Sequence, residues 1–163
     1  MRYCATSCHR NNEKAYVTVN GKQCWSQTFS GANGSDQCGS KKSDSKEESI
    51  AVKCEAESVG GKLTVRVYAD LSSSNAKDES FAIDNVVVTK LVTSANFKFE
   101  NKRDFEGWNC GEITLCGKYG HVCGGYQTTG SGHVIKQTFA VPAGEYAVSL
   151  EFIKIDSWFV HLC

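Results

Sequence analysis

This chain of 163 residues contains one proline, one methionine and no excess charge of either sign. No stretch approaches the ~20 apolar residues that a membrane helix needs, so we expect no membrane insertion. Its 18 Lys and Arg residues balance 18 Asp and Glu residues, so no net field attracts it to nucleic acid or to an anionic membrane. The first residues, MRYCATSCHRNN, lack the apolar segment of a signal peptide. Any export signal is therefore expected to lie elsewhere or upstream.

Catalytic motifs are also lacking. The sequence has no Gly-x-Ser-x-Gly elbow, no His-Glu-x-x-His and no phosphate-binding loop. A glycosidase would need two carboxylates flanking a cleft, and the acidic pairs in this sequence have the pattern of ordinary surface residues. We therefore expect a protein that is not an enzyme, with a hydrolase as the distant alternative.

Cysteine, in contrast, is abundant, with nine residues. So many thiols suit an oxidising compartment, where they cross-link a loop-rich domain. The predicted location is therefore extracellular or at the cell surface, and the odd residue is expected among Cys4, Cys8 and Cys163. Asn33, in an Asn-Gly-Ser sequon, is a candidate glycosylation site. Zinc is disfavoured because the spacing of the central cysteines does not fit a knuckle. Six cysteines are the disulfide candidates, and sequence alone leaves their connectivity open: Cys24, Cys38, Cys54, Cys110, Cys116 and Cys123.

The apolar residues follow the period of β-strands. Apolar and polar side chains alternate over 15–19, 63–68 and 146–152, as in strands with one buried face. At Ile153 and Ile155 the apolar parity switches, which predicts a bulge or a change of sheet environment. Glycine- and serine-rich segments separate the strands, and no amphipathic helix of three turns is present. The pattern predicts an all-β sandwich.

Two short motifs carry a resemblance to a known family. The segment FAIDNVVV resembles the last strand of galactose-binding-like jelly-roll modules, which include many carbohydrate-binding modules and the MAM-type adhesion domains. The segment NFKFENKRDFEGW resembles their first strand. The order Gly-Trp, Cys-Gly, Gly-Gly-Tyr, FIKIDSW, EKAYVTVNGKQCWS and DESFAIDNVVV is more closely similar to modules repeated in large surface proteins of ciliates and other protists.

The resemblance implies a jelly-roll sandwich of about eight antiparallel strands, with its two halves in rotated order. Residues 97–158 would be the opening half and 11–91 the closing half of one module spanning 11–158. Residues 1–10 and 159–163 would be irregular tails. In such a circular permutant, strand 83–88 is expected to lie antiparallel to strand 97–100, and the ends near Asn11 and Trp158 are expected to meet.

The resemblance also implies a structural calcium ion. In many related modules the Glu of the first strand and the Asp of the last bind Ca²⁺, and these match Glu100 and Asp84, with Asn85 as a further oxygen donor. The alternative is that Asp84 binds backbone amides at the end of a strand. A second acidic pair, Asp156 with Glu13, is expected to serve only the local structure.

Aromatic and amide side chains favour sugar binding, because a flat ring stacks on a pyranose while polar groups hold its hydroxyls. We expect Trp108 and Trp158 in the core and Tyr126 at the surface. The predicted function is an extracellular recognition or adhesion module that binds a glycan. The alternative is a structural repeat of a surface coat or filament that binds neighbouring protein modules. The candidate ligand-binding residues are Tyr126, Gln127, Trp25, Asn109 and Asp36.

Overall fold

The protein is described here by a computed structural model. The structure describes residues 13–29, 34–39, 46–58, 60–77, 79–90, 94–97, 99, 104–156 and 158. Nearly all regular structure in these ranges is β, as the periodicity predicted. A single 3₁₀ turn covers Gly117–Tyr119. The ten strands are β1 (Lys14–Val19), β2 (Lys22–Thr28), β3 (Glu48–Ser58), β4 (Lys62–Asp70), β5 (Glu79–Lys90), β6 (Ser94–Phe97), β7 (Ile113–Leu115), β8 (His121–Gly124), β9 (Val134–Ala140) and β10 (Gly144–Asp156).

The strands form two antiparallel sheets. A four-stranded sheet has the order β2-β1-β4-β9, and a six-stranded sheet has the order β3-β10-β5-β8-β7, with β6 also paired to β5. This arrangement confirms the predicted all-β sandwich. Strands β1 and β4 turn Val17 and Val67 inward and Tyr16 and Tyr68 outward, because successive side chains of a strand point to opposite faces.

Both halves of the sequence contribute to the main core between the sheets. Val17 and Ile83 come from the segment before residue 91, and Trp108 and Trp158 from the segment after residue 97. Both tryptophans are buried, as the sequence predicted. Phe29 contacts Trp158 at 5.0 Å between ring centroids and donates its N–H to the carbonyl of Glu13 at 3.0 Å. Residues 13 and 158 therefore lie at the same end of the sandwich.

The parity switch at Ile153 and Ile155 marks a real change of environment. The register of β10 against β5 shifts between Ser149 and Glu151. After this shift, Phe152 lies in the main core, whereas Ile153 and Ile155 form a second apolar cluster with Ala82, Cys116 and Val122. Cys38, Tyr119 and Tyr126 pack against this second cluster from the loops. The C-terminal part of β10, from Phe152 to Asp156, is therefore buried on both faces.

Three disulfide bonds join the six candidate cysteines, which confirms the prediction that they are oxidised. The pairs are Cys24–Cys54, Cys38–Cys116 and Cys110–Cys123. The first of these links β2 of one sheet to β3 of the other. The pairing also accounts for the cysteines that a zinc site would have needed. Cys4, Cys8, Cys163 and the sequon at Asn33 lie outside the described residues.

Strand β5 pairs antiparallel with β6, with Val86 opposite Phe97. An antiparallel contact of this kind was expected between strand 83–88 and the segment beginning at residue 97. The paired residues differ from the expectation, since β6 covers Ser94–Phe97 and so precedes most of the expected strand 97–100. The rotated order of the two halves stays a prediction.

Candidate functional site

Three loop segments gather at one end of the sandwich. We call residues 34–39, 71–77 and 125–133 the loop end. They meet there because the pairs Lys14–Asp70 and Glu79–Asp156 place the corresponding strand termini at that end. Backbone hydrogen bonds connect two of the segments, since Gln127 donates its N–H to the carbonyl of Ala76 at 2.9 Å. The loop end is therefore a connected surface.

Five charged side chains are buried beneath the loop end, each no more than 5% exposed: Glu13, Glu47, Glu79, Lys154 and Asp156. Burying charge is costly unless the charges are paired and hydrogen-bonded. Here the carboxylates bind the loops. Glu47 accepts hydrogen bonds from the backbone N–H groups of Gln37 and Cys38, and so holds the first segment.

Lys154 is the only cation in this buried cluster. Its Nζ donates to the carbonyls of Lys46 and Asp156. Burial lowers the pKa of this lysine, and the nearby carboxylates of Glu48, Glu47, Asp156 and Glu13 oppose that shift. The ammonium therefore compensates the surrounding negative charge while it fastens the chain before β3 to the end of β10.

Glu13 and Glu79 hold the second loop segment. Glu13 accepts the N–H of Ser72 at 3.1 Å, and Glu79 accepts the hydroxyl of Ser72 at 2.9 Å and the N–H of Ser73 at 2.7 Å. Burial and a hydrogen bond to Glu13 raise the pKa of Glu79 from 4.5 to about 7. Glu79 therefore keeps its proton to a higher pH than a solvent-exposed glutamate does.

The predicted acidic pair of Glu13 with Asp156 is thus part of a larger group. The carboxyl neighbour of Glu13 is Glu79, which is opposite Asp156 in the pairing of β5 with β10. Among the described residues, no three His, Cys, Asp or Glu side chains are placed to hold a metal ion. The hydrogen bonds that its carboxylates accept hold the loops in place.

Tyr126 and Gln127 lie in the third loop segment, after two glycines with positive φ. Gly125 has φ +118°, and a Cβ atom at this position would collide with Thr114. Tyr126 is half-buried with its ring against the second apolar cluster, and Gln127 is exposed with φ +63°. A residue other than glycine with positive φ is uncommon and carries strain. The turn therefore presents Gln127 and the rim of Tyr126 to the solvent.

Asp36 is exposed in the first loop segment. The disulfide between Cys38 and Cys116 fastens this segment to the 3₁₀ turn, and the Gln37 side chain accepts the N–H of Lys118 at 2.8 Å. Because Cys38 and Tyr126 pack against the same apolar cluster, the structure brings the segments of Asp36 and Tyr126 to one area of the surface.

The other two candidates for sugar binding lie elsewhere. Trp25 faces inward, with its ring 5.7 Å from that of Phe152. Asn109 is exposed at the free edge of β9, where its N–H donates to the carbonyl of Lys136 at 3.2 Å. The five predicted residues therefore do not form one site.

Asp84 lies at the bulge where β5 changes register against β10. It is buried, and its two carboxylate oxygens accept the N–H and the side-chain NH₂ of Asn85 at 2.7 and 3.1 Å. Asn85 has φ +49°. These contacts are of the kind expected from the alternative in which Asp84 binds local amides. Glu100, the other carboxylate predicted to bind calcium, lies outside the described residues.

Comparison with known proteins does not identify a relative. No protein-family model, curated protein or solved structure matches the chain. The similarity to galactose-binding-like and protist modules is therefore still a prediction. Within the described ranges, no helix is long and apolar enough to span a membrane.

Sequence reasoning missed most of the buried cluster. Glu47 lies in a charged segment that has the pattern of a solvated loop, and Glu79 in Asp78-Glu79 has that of an ordinary surface residue. One signal was available for Lys154 and Asp156, because they have the same parity as Phe152 and so point into the sandwich. The partners of these charges come from distant parts of the chain, which no local pattern shows.

Proposed function

We propose that the protein is a non-catalytic recognition module that binds a glycan at the loop end. The observation that carries the proposal is that buried carboxylates and a disulfide hold two of the loops in a fixed arrangement around an exposed Gln127 and the rim of Tyr126. Fixed loops lower the entropy that is lost on binding. The third loop is held by its glycine turn and by backbone bonds.

The chemistry of this surface suits a sugar. Tyr126 offers part of an aromatic ring, while Gln127 and Asp36 offer an amide and a carboxylate for hydroxyl groups. Three disulfides are compatible with an extracellular location, where adhesion modules meet glycans. The proposal of a non-catalytic role follows from the absence of a catalytic motif in the sequence.

A glycan array with wild-type protein and the Tyr126→Ala variant tests this proposal. We expect binding to at least one neutral glycan and its loss in the variant. Tyr119→Ala is a matched control, because Tyr119 packs on the same apolar cluster but follows a different turn. Binding that survives Tyr126→Ala, or turnover of a glycoside or ester substrate, would contradict the proposal.

A structural repeat that binds its neighbours is the second candidate function. Leu115 is 67% exposed on β7, which is a short strand at the edge of the six-stranded sheet. An exposed apolar residue on an unpaired edge favours association with another chain. Concentration-dependent self-association that Leu115→Lys abolishes, together with an empty glycan array, would favour this function.

Calcium binding by Asp84, Asn85 and Glu100 is a further part of the proposal. A buried carboxylate and an amide oxygen belong to the donor class that Ca²⁺ prefers. A ligand that binds only the native state raises its melting temperature. We expect a higher melting temperature in millimolar calcium than in chelator, and no such rise in Asp84→Asn. Identical melting curves would leave Asp84 as a residue of the bulge alone.

A further inference from the structure

The charged residues of the strands are divided unevenly between the two sheets. The strands of the four-stranded sheet carry five cations and one anion: Lys14, Lys22, Lys62, Arg66, Lys136 and Asp70. The strands of the six-stranded sheet carry eight carboxylates and three lysines: Glu48, Glu55, Glu57, Glu79, Asp84, Glu145, Glu151, Asp156, Lys53, Lys90 and Lys154. The zero net charge of the chain conceals this separation.

Arg66 and Lys136 are direct neighbours on the outer face of the four-stranded sheet. They are opposite each other in the pairing of β4 with β9, and both are exposed. Within the part of the chain that the structure describes, neither charged group has a hydrogen-bond or ion-pair partner. Like charges directly opposite each other destabilise a sheet. An anion bound between them would remove this repulsion.

A shallow polar hollow adjoins this cationic pair. It has a volume of about 290 Å³ and is lined by Gly107, Asn109, Lys136, Gln137 and Thr138. Asn109 accepts the backbone N–H of Lys136 through Oδ1, and this bond does not use its NH₂ group. The hollow therefore offers the amide donors of Asn109 next to two positive charges. The Thr138 hydroxyl, which is 3.0 Å from that of Thr64, can exchange this partner for a ligand.

An aromatic ring lies on the other side of Arg66. Tyr68 is two residues further along β4, so it is on the same face. It is half-buried and stacks on Tyr16 of β1, with ring centroids 5.0 Å apart. The Tyr16 ring also has the ammonium of Lys14 at 5.4 Å. Cations, amides and an aromatic ring thus occupy adjacent positions on one flat surface.

We propose that this face binds an acidic saccharide, with Arg66 and Lys136 pairing with its carboxylate or sulfate. Arginine forms bidentate bonds to such groups, lysine adds a point charge, and Tyr68 contacts the apolar face of the sugar ring. Asn109 and Thr138 receive the hydroxyls. An acidic peptide would use the cations but not the hydroxyl-binding groups of the hollow. The inference goes beyond the loop end, because it uses other residues and a different class of sugar.

Calorimetric titration with two matched sugars tests the proposal. The probes are a galacturonic acid trisaccharide and the neutral galactose trisaccharide, which differ at carbon 6. At low salt we expect the acidic sugar to bind and the neutral sugar to bind at least about tenfold more weakly. Arg66→Gln and Lys136→Gln are each expected to weaken the acidic sugar about tenfold. Lys53→Gln, at an exposed position of the other sheet, is the control and should change nothing.

Other outcomes would overturn the proposal. Equal affinity for a hexaglutamate peptide would show a general anion-binding patch, and unchanged binding in both charge variants would place the anion elsewhere. Tyr126→Ala separates this site from the loop end. If it abolishes binding of the acidic sugar while Arg66→Gln does not, the loop end is the acidic site and this inference is wrong. If the glycan array for the loop end is empty but the charge variants behave as expected, this inference stands alone.

Discussion

The two sheets of this sandwich bury their side chains differently. In the four-stranded sheet, β4 alternates simply, with one face in the main core and the other exposed or half-buried among the described residues. The six-stranded sheet is covered on both faces along the C-terminal part of β10, where Phe152 and Ile155 belong to separate apolar clusters. Of the six buried charged residues that the structure describes, its strands hold four: Glu79, Asp84, Lys154 and Asp156. The exposed charges of either sheet should therefore tolerate substitution, whereas the buried charges of the six-stranded sheet should not.

Removing the buried ammonium should cause the largest loss of stability and so tests the contrast between the two sheets most directly. Lys154→Met is expected to destabilise the protein by about 3–5 kcal/mol, because it leaves the surrounding carboxylates without their cation. Lys136→Met makes the same change at an exposed position of the other sheet and should cost less than about 0.5 kcal/mol. Denaturant unfolding at pH 7 measures both values. Equal losses would show that the buried cluster does not depend on its lysine.

Removal of the disulfide between the two sheets should cause the next largest loss of stability. Replacing Cys24 and Cys54 by serine removes a bridge across a sequence separation of 30 residues. We expect a loss of about 3 kcal/mol, because the unfolded chain regains conformational freedom. The control is the pair Cys110 and Cys123, with a separation of 13 residues, for which the same model predicts a smaller loss. Unfolding without reductant distinguishes the two double variants.

The raised pKa of Glu79 predicts that the stability of the protein depends on pH. The folded pKa of Glu79 is about 7 and the unfolded value is 4.5, so the folded state binds this proton more tightly. Its stabilising effect is complete below about pH 4.5 and is lost as the pH rises through 7. Between these values, the free energy of unfolding should fall by at least about 1.4 kcal/mol from this group.

Glu79→Gln isolates that contribution, since the amide keeps a donor for Glu13 at every pH. The difference in melting temperature between this variant and the wild type should grow from pH 5 to pH 8. Glu55→Gln, on an exposed position of β3, should follow the wild type. The charges that face Glu13 and Glu79 (Glu47, Glu48, Lys154 and Asp156) are common to all three proteins. A difference that stays constant with pH would show that the pKa of Glu79 is not raised in the folded protein.

The smallest change in stability is expected from substitutions on the outer face of the four-stranded sheet. Tyr16 and Tyr68 form a stacked cross-strand pair, and such pairs contribute about 0.5–1 kcal/mol. A double-mutant cycle with Tyr16→Ala and Tyr68→Ala should give a coupling energy in this range. A coupling energy of zero would mean that the two rings are held by the strands alone.

Local patterns predicted β1, β4 and β10 because these strands alternate between apolar and polar residues in the sequence. Leu63, Val65 and Val67 alternate with polar residues, and all three are buried in β4. The parity change at Ile153 predicted a bulge, and the register of β10 shifts just before it. These features need only neighbouring residues, so sequence could reveal them.

Features that depend on distant pairing were not predictable. Tyr16 stacks on Tyr68 because β1 pairs with β4, and Arg66 is opposite Lys136 because β4 pairs with β9. The choice among the disulfide connectivities depends on the same register. Composition could not reveal that the two sheets differ in charge. The net charge of the chain is zero whether the two signs are mixed or separated.

Within the described strands, the separation of charge corresponds to a dipole component that runs across the sandwich. A neutral protein with such a dipole is turned by a field even though it is not drawn along it. Near an anionic surface the four-stranded sheet would face the surface, and the acidic side would point away. The loop end, which lies at neither face, would then open sideways along the surface. Orientation of this kind acts over about one Debye length, ~8 Å at physiological ionic strength, and disappears in high salt.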